Sequence, residues 1–277
     1  MSADAVPAPA AGDEAVPLPW RTRLAMLTRM LAVQGSWNYE TMLGTGIGFS
    51  TEPALRALPG GRGGPAYRDA VARETRYFNA HPYLAAIAVG ALARAEVDGR
   101  PPAQIERFRA ALCGPLGSVG DRLVWAGWLP FSALLALLAL GLGAGPLAVT
   151  VLFLVVYNAG HIALRAWGLQ VGWSRGLRVA SALGTPLLRQ GPQWLARATL
   201  FLSGIALPLA GGRLLGVIGG GVPAPRHGLA ALEPWGIVAY AGAAILGALL
   251  VRMHGRVEGW RVALAMLALV TLISIAR

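Results

Sequence analysis

Residues 123–164 read LVWAGWLPFSALLALLALGLGAGPLAVTVLFLVVYNAGHIAL, a run without a single Asp, Glu, Lys or Arg. Its only interruption is Gly141, Gly143, Gly145 and Pro146. That break divides the run into two apolar arms of roughly 20 residues, the length a helix needs to cross a bilayer. The stretch predicts a transmembrane helical hairpin, and the rest of the chain is read outward from it.

The whole 277-residue composition agrees: 55% of residues are hydrophobic, 13% are charged and the mean hydropathy is +0.55. These values place the chain outside ordinary soluble domains. All 24 basic residues are arginine, so no mechanism that needs a lysine is open, the Gly-Lys-Ser/Thr phosphate loop included. Residues 122–277 hold 12 Arg against only Glu233 and Glu258, so ten of the eleven net positive charges fall there. These arginines lie between apolar runs, where they act as orientation signals and imply no nucleic-acid partner. The single cysteine, Cys113, excludes an internal disulfide and a Cys-based zinc site.

Downstream of the hairpin, Arg165, Arg175, Arg178, Arg189 and Arg197 mark a cytoplasmic segment. Further spans are expected at 198–222, 229–251 and 262–276. Five crossings put the N-terminus in the cytoplasm and the C-terminus outside. Within the hairpin's second arm, Asn158, His161 and Arg165 share a helical face. An arginine at mid-bilayer costs about 2.5–3.5 kcal/mol, which favours Arg165 near the end of the span, snorkelling to the interface. One His and one Asn make a poor ligand set, so no metal is expected.

Upstream, residues 1–19 read as a disordered tail broken by Pro7, Pro9, Pro17 and Pro19, without a signal peptide's apolar core. From Trp20, Leu24, Leu27, Met30 and Leu31 are placed on one face with Arg21, Arg23 and Arg29 as a rim, the profile of a helix at a membrane surface. Then comes Gln34-Gly35-Ser36-Trp37-Asn38-Tyr39-Glu40. A Trp ring can lie against the C–H face of a sugar while Asn and Glu fork onto vicinal hydroxyls. The same residues also suit an interfacial aromatic belt with a solvated carboxylate.

Gly44 to Phe49 is too glycine-rich to predict a helix and too short to span, so a hairpin or re-entrant segment is expected. Tyr67–Phe78 predicts an amphipathic helix with Ala70, Val71, Tyr77 and Phe78 inward and Arg68, Arg73 and Arg76 outward. Asn79-Ala80-His81-Pro82 ends one element and begins another, and Tyr83–Ala95 is a second short apolar segment of the kind that borders broken-helix binding sites. Residues 99–112 read as a charged connector. Gly114 to Asp121 reads as a glycine turn in which Asp121 either caps the following helix or faces a ligand. The organisation expected is a tail (1–19), an amphipathic and re-entrant helical region (20–121) and a transmembrane region (122–277): an all-α polytopic membrane protein with about five transmembrane helices.

Taken in order, Gln34 to Glu40 with the glycine-rich stretch to Phe49 and Pro53, Phe78 to Pro82, Gly114 to Asp121 with Trp125 beyond, and Tyr157 to Gly176 closely resemble the IID component of mannose-family (mannose/fructose/sorbose) sugar phosphotransferase systems. The resemblance covers roughly residues 22–210. It implies a non-catalytic subunit of a bacterial plasma-membrane sugar permease that pairs with a IIC membrane chain to form the translocation path by alternating access. Phosphorylation is left to IIB and IIA phosphocarriers, no cofactor is required, and IIC–IID pairs assemble into a higher oligomer. The matched residues it places near the sugar or the moving interface are Trp37, Asn38, Glu40, Asn79 and Asp121. Three departures stand out: the polar segment common before the family's penultimate span is reduced to a few residues around Gly219 to Glu233, and two single positions differ. Thr41 occupies a position where the family commonly has arginine, and Arg122 follows Asp121 where a smaller residue or proline is usual. They keep a degenerate scaffold or sensor as an alternative. An intramembrane serine protease built on Ser203 and His254 is the rival from another class.

Overall fold

The computed structural model describes residues 17–218, and in that range the chain is helical, with only isolated β-bridges at Asn38–Met42 and Met42–Phe78. Eight α-helices follow one another: α1 (Trp20–Met30), α2 (Gly44–Leu55), α3 (Pro65–Glu74), α4 (Ala85–Val97), α5 (Pro102–Gly120), α6 (Leu129–Gly141), α7 (Pro146–Arg175) and α8 (Pro186–Ile218). A π-helical stretch, Asp121–Trp128, joins α5 to α6, and a 3-10 stretch, Gly176–Gly184, follows α7. Among the described residues, three helices are long and apolar enough to cross a membrane: Pro102–Gly141, Pro146–Val179 and Pro186–Leu214. The expected spans at 229–251 and 262–276 lie outside the described residues.

Two compact units are present. One holds α1–α4, α5 through Asp121 and His161–Arg189; among the described residues the other holds Arg122–Gly160 and 190–218. In the first, α2 packs on α1, α3 and α4. Its centre is α4, whose residues from Ala85 to Glu96 are all buried. α4 meets α7 backbone to backbone: a Cβ on Gly172 would lie 2.2 Å from the Ile87 carbonyl oxygen, and one on Gly90 would lie 2.4 Å from that of Leu169. Small residues allow that approach. In the second unit the Trp128 indole N–H donates to the Tyr157 carbonyl (3.2 Å), and Arg213 donates to the Leu140 carbonyl (2.8 Å).

Several expectations are corrected. Gly44–Phe49 is helical, because its glycines serve contact: a Cβ on Gly46 would sit 1.9 Å from the Val33 carbonyl oxygen. Helix propensity counts glycine as a cost, yet tertiary packing overrides it here. The expected connector (99–112) and glycine turn (114–121) instead give, from Pro102 to Gly120, the continuous helix α5, which runs through Gly114 and Pro115. On α1, Met26 and Met30 are buried whereas Leu24 and Leu31 are exposed. The third span begins earlier than 198, since α8 starts at Pro186. Arg73 turns inward to pair with Glu96 on α4 through two hydrogen bonds of 2.7 and 2.8 Å, while Tyr77 is half exposed.

Two further ion-pair groups fix the helices of the first unit. Glu52 on α2 accepts from Arg29 (2.7 Å), from Arg56 in a bidentate fork (2.9 and 2.7 Å), from Arg62 (3.1 Å) and from the Tyr67 hydroxyl (2.9 Å). The Arg56 fork, aided by Tyr67 and Arg29, holds its carboxyl down at about 2. Glu74, fully buried at the end of α3, accepts from Arg109 on α5 at 2.7 Å. Burial pushes its carboxyl above the usual carboxylate range while Arg109 pulls the other way.

Candidate functional site

The polar motif after α1 forms a tight, wholly exposed turn. Asn38 organises it: its side-chain carbonyl accepts from the backbone N–H of Glu40 (2.9 Å) and of Thr41 (2.8 Å), and its amide donates to the Ser36 carbonyl (3.2 Å) and the Thr41 hydroxyl (2.9 Å). Such a local turn is the usual work of an Asn side chain. Trp37 and Tyr39 meet edge to face at 4.8 Å and remain 45% and 84% exposed. Glu40 is exposed beside them. Thr41, which departs from the arginine the resemblance leads one to expect, is thus a member of the turn.

Backbone bonds join this turn to the second motif. Phe78 N–H donates to the Thr41 carbonyl (3.1 Å), and Leu43 N–H donates to the Phe78 carbonyl (2.9 Å). Between them Met42 takes a left-handed φ of 51°, a conformation that costs a non-glycine residue roughly 1–2 kcal/mol. Asn79 follows Phe78 directly and is exposed. The motif's other end rests on α5: His81 N–H donates to the Leu116 carbonyl at 3.4 Å, and a Cβ on Gly120 would lie 2.2 Å from that of His81. Asp121, exposed, is the next residue after Gly120 and the first of the π-helical stretch. π-Helical turns are rare and concentrate at functional sites.

Chain segments far apart in sequence therefore meet at Phe78–Tyr83. Trp37, Asn38 and Glu40 share one turn, Asn79 is coupled to it through Thr41 and Phe78, and Asp121 caps the helix against which His81 packs. His81 is almost fully buried, and burial, with Arg165 adding its charge, pushes the imidazole down to about 4. Tyr83 stacks on His161 of α7 at 4.5 Å. Arg165 does not snorkel to solvent as expected; it is 4% exposed and sits over the Tyr83 ring at 4.8 Å. Sequence reading missed Phe78 as the connecting residue and Tyr83 as a partner of α7. Their aromatic character was legible, but backbone bonds and ring stacking leave no local signal.

The serine of the protease alternative lies in α8, where its hydroxyl donates to the Leu200 carbonyl at 2.7 Å as helical serines do. His254 falls outside the described residues. Among the described residues no three His, Cys, Asp or Glu side chains gather as a metal site would need.

The chain is similar to known proteins. The family model described as the PTS system mannose/fructose/sorbose family IID component matches residues 18–195. The mannose-specific EIID component of Escherichia coli (strain K12) is 32% identical over 177 residues, which cover 62% of this chain and 61% of that protein. The matched stretch thus spans about three-fifths of that relative's length. The sorbose-specific EIID component of Klebsiella pneumoniae is 34% identical over 192 residues, 66% of this chain and 67% of that one. Among solved structures, a chain from the cryo-EM structure of mannose transporter ManYZ in complex with microcin E492 aligns with a TM-score of 0.53 at 22% identity, covering 94% of this chain and 96% of that one. Another, described as a membrane protein, aligns with a TM-score of 0.57 at 21% identity, covering 92% and 95%. At such identities the likeness is one of fold. With the family model matching most of its length, the chain belongs to the IID components of the mannose/fructose/sorbose phosphotransferase family.

Proposed function

We propose that this chain is a non-catalytic subunit of a sugar permease in the bacterial inner membrane. It forms a translocation path with a IIC membrane chain, and a IIB phosphocarrier phosphorylates the sugar as it emerges in the cytoplasm. Trp37, Asn38, Glu40, Asn79 and Asp121 contact the sugar or the moving interface of an alternating-access cycle. The N-terminus is cytoplasmic and the C-terminus outside. The observation that carries the reading is the junction of the two polar motifs through Thr41, Leu43 and Phe78. It brings an exposed indole, the exposed Asn79 amide and the Glu40 carboxylate onto connected turns of one helical unit, polar groups suited to a neutral polyol, with Asn38 shaping the turn that presents them. The named relatives, described as mannose- and sorbose-specific components, add to its support.

The test is uptake of a panel of hexoses and amino sugars by cells carrying the complete set of phosphotransferase components, with and without this chain. Uptake of at least one sugar that depends on the chain is expected, together with co-purification of a IIC-type chain in mild detergent. Equal uptake without the chain, or a stable isolated chain that recruits no such partner, would overturn the reading.

A further inference from the structure

Behind the polar turn, four side chains of the same unit form a continuous stack that the five candidate residues do not include. His81 meets Tyr83 edge to face at 5.0 Å, and the Tyr83 backbone N–H donates to His81 Nδ1 at 3.2 Å. Tyr83 lies flat on His161, with centroids 4.5 Å apart and planes 14° apart. The Arg165 guanidinium sits 4.8 Å from the Tyr83 ring centre, and its Nη1 is 2.5 Å from His161 Nε2.

Arg165 is buried on a long, mainly apolar helix, where an arginine is costly and marks function by default. Its contacts are of a kind that only a planar, multi-donor cation makes: it stacks on a ring and reaches an imidazole nitrogen at once, whereas a lysine ammonium is a compact point charge. The first half of the turn is held by the two Phe78 backbone bonds at 3.1 and 2.9 Å, and the second half by the His81 N–H on the Leu116 carbonyl at 3.4 Å and the Ala85 N–H on the His81 carbonyl at 2.9 Å. The side-chain stack is added to that second half.

We propose that Arg165 is a positioning residue: acting through His161 and Tyr83, it fixes the Asn79–Pro82 turn and so sets how Asn79 is presented to the sugar. The proposal rests on the reading of Asn79 as a sugar contact. Ring geometry and planar charge carry the effect, so Tyr83→Phe preserves it while Tyr83→Ala and Arg165→Lys remove it.

Two measurements test this. In cells with the complete transport system, Arg165→Lys and Tyr83→Ala raise the apparent KM for uptake at least fivefold, with the maximal rate and membrane abundance within twofold of the parent, and Tyr83→Phe matches the parent. Independently of transport, Asn79→Cys is placed in a Cys113→Ala background of the full chain, which removes its one native cysteine. Labelling by a hydrophilic maleimide in membranes then accelerates at least threefold with Arg165→Lys or Tyr83→Ala and stays unchanged with Tyr83→Phe. Unchanged labelling in both damaging variants overturns the proposal whatever the KM, as does a Tyr83→Phe variant as impaired as Tyr83→Ala. Faster labelling with unchanged KM supports the positioning role and removes Asn79 from the sugar site.

Discussion

The Thr41 carbonyl accepts a hydrogen bond from the Phe78 N–H at 3.1 Å, so two polar motifs distant in the chain share one backbone junction. Met42, inside that junction, carries the strain, with φ at 51°. Glycine adopts that conformation without penalty, and a β-branched residue tolerates it least. Met42→Gly is expected to stabilise the detergent-solubilised chain by up to about 1 kcal/mol in thermal unfolding, and Met42→Val to destabilise it. Equal stability of the two variants would show that the junction does not impose a left-handed residue.

Within the adjoining turn, Asn38 and Glu40 are expected to separate a structural role from a binding one. Asn38 makes four hydrogen bonds inside the turn, so Asn38→Ala loses uptake and also about 1–2 kcal/mol of stability. Glu40→Ala abolishes uptake while thermal stability and complex assembly remain those of the parent. Unchanged uptake in both variants would move the sugar site elsewhere.

The contrast shows what kind of information the sequence carried. The uncharged run 123–164 announced membrane helices because spanning length and hydropathy are local properties. Motif residues such as Trp37 and Asn79 were visible as polar breaks in apolar sequence. Their junction was not, since Thr41 and Phe78 meet through peptide groups that every residue possesses. α2 was misread for a related reason. The glycines that lower its intrinsic helicity are there to admit other segments, Gly46 the Val33 backbone, Gly44 that of Arg76 and Gly48 Thr75, a demand set from outside the helix. The inward turn of Arg73 depends likewise on Glu96 arriving from another helix.

Acid stability should fall in two stages with distinct owners. His81 is held down at about 4 in the fold against an ordinary value near 6.5, so the unfolded chain binds its proton first. The stability owed to neutral His81 is therefore complete above pH 6.5 and is lost as pH falls from 6.5 through 4. Glu52, held at about 2 against 4.5, contributes fully above pH 4.5 and loses its share as pH falls toward 2. The raised Glu74 carboxyl contributes with the opposite sign above pH 4.5, so thermal unfolding in His81→Gln is expected to lose the His81 share of the slope between pH 4 and 6.5, and in Glu52→Gln to keep it. The Glu52 variant is already weaker at pH 7, by on the order of 2 kcal/mol, because charged hydrogen bonds from Arg29 and Arg56 are removed. The same slope in His81→Gln as in the parent would assign the mild-acid transition to another group.

The buried pair Glu74–Arg109 offers the strictest account of what holds α3 to α5. Only 5% of the Arg109 side chain and none of that of Glu74 reach the surface, so removing the cation leaves a carboxylate with nowhere to be solvated. Arg109→Met is expected to cost about 3–5 kcal/mol at neutral pH, and the double variant Glu74→Met with Arg109→Met to recover much of that loss, because replacing both partners by apolar groups avoids an uncompensated charge. The pH dependence fixes the cause. Without Arg109 to oppose burial, the Glu74 carboxyl rises further above its unfolded value, so the folded chain retains a proton that the unfolded chain releases. Stability is then kept below the unfolded value and lost as pH rises, and the damage from Arg109→Met is larger at pH 8 than at pH 5. A single variant equally weakened at both pH values, with no recovery in the double, would mean that Arg109 acts through packing on the Phe78 ring, 5.1 Å from its guanidinium, and not through charge.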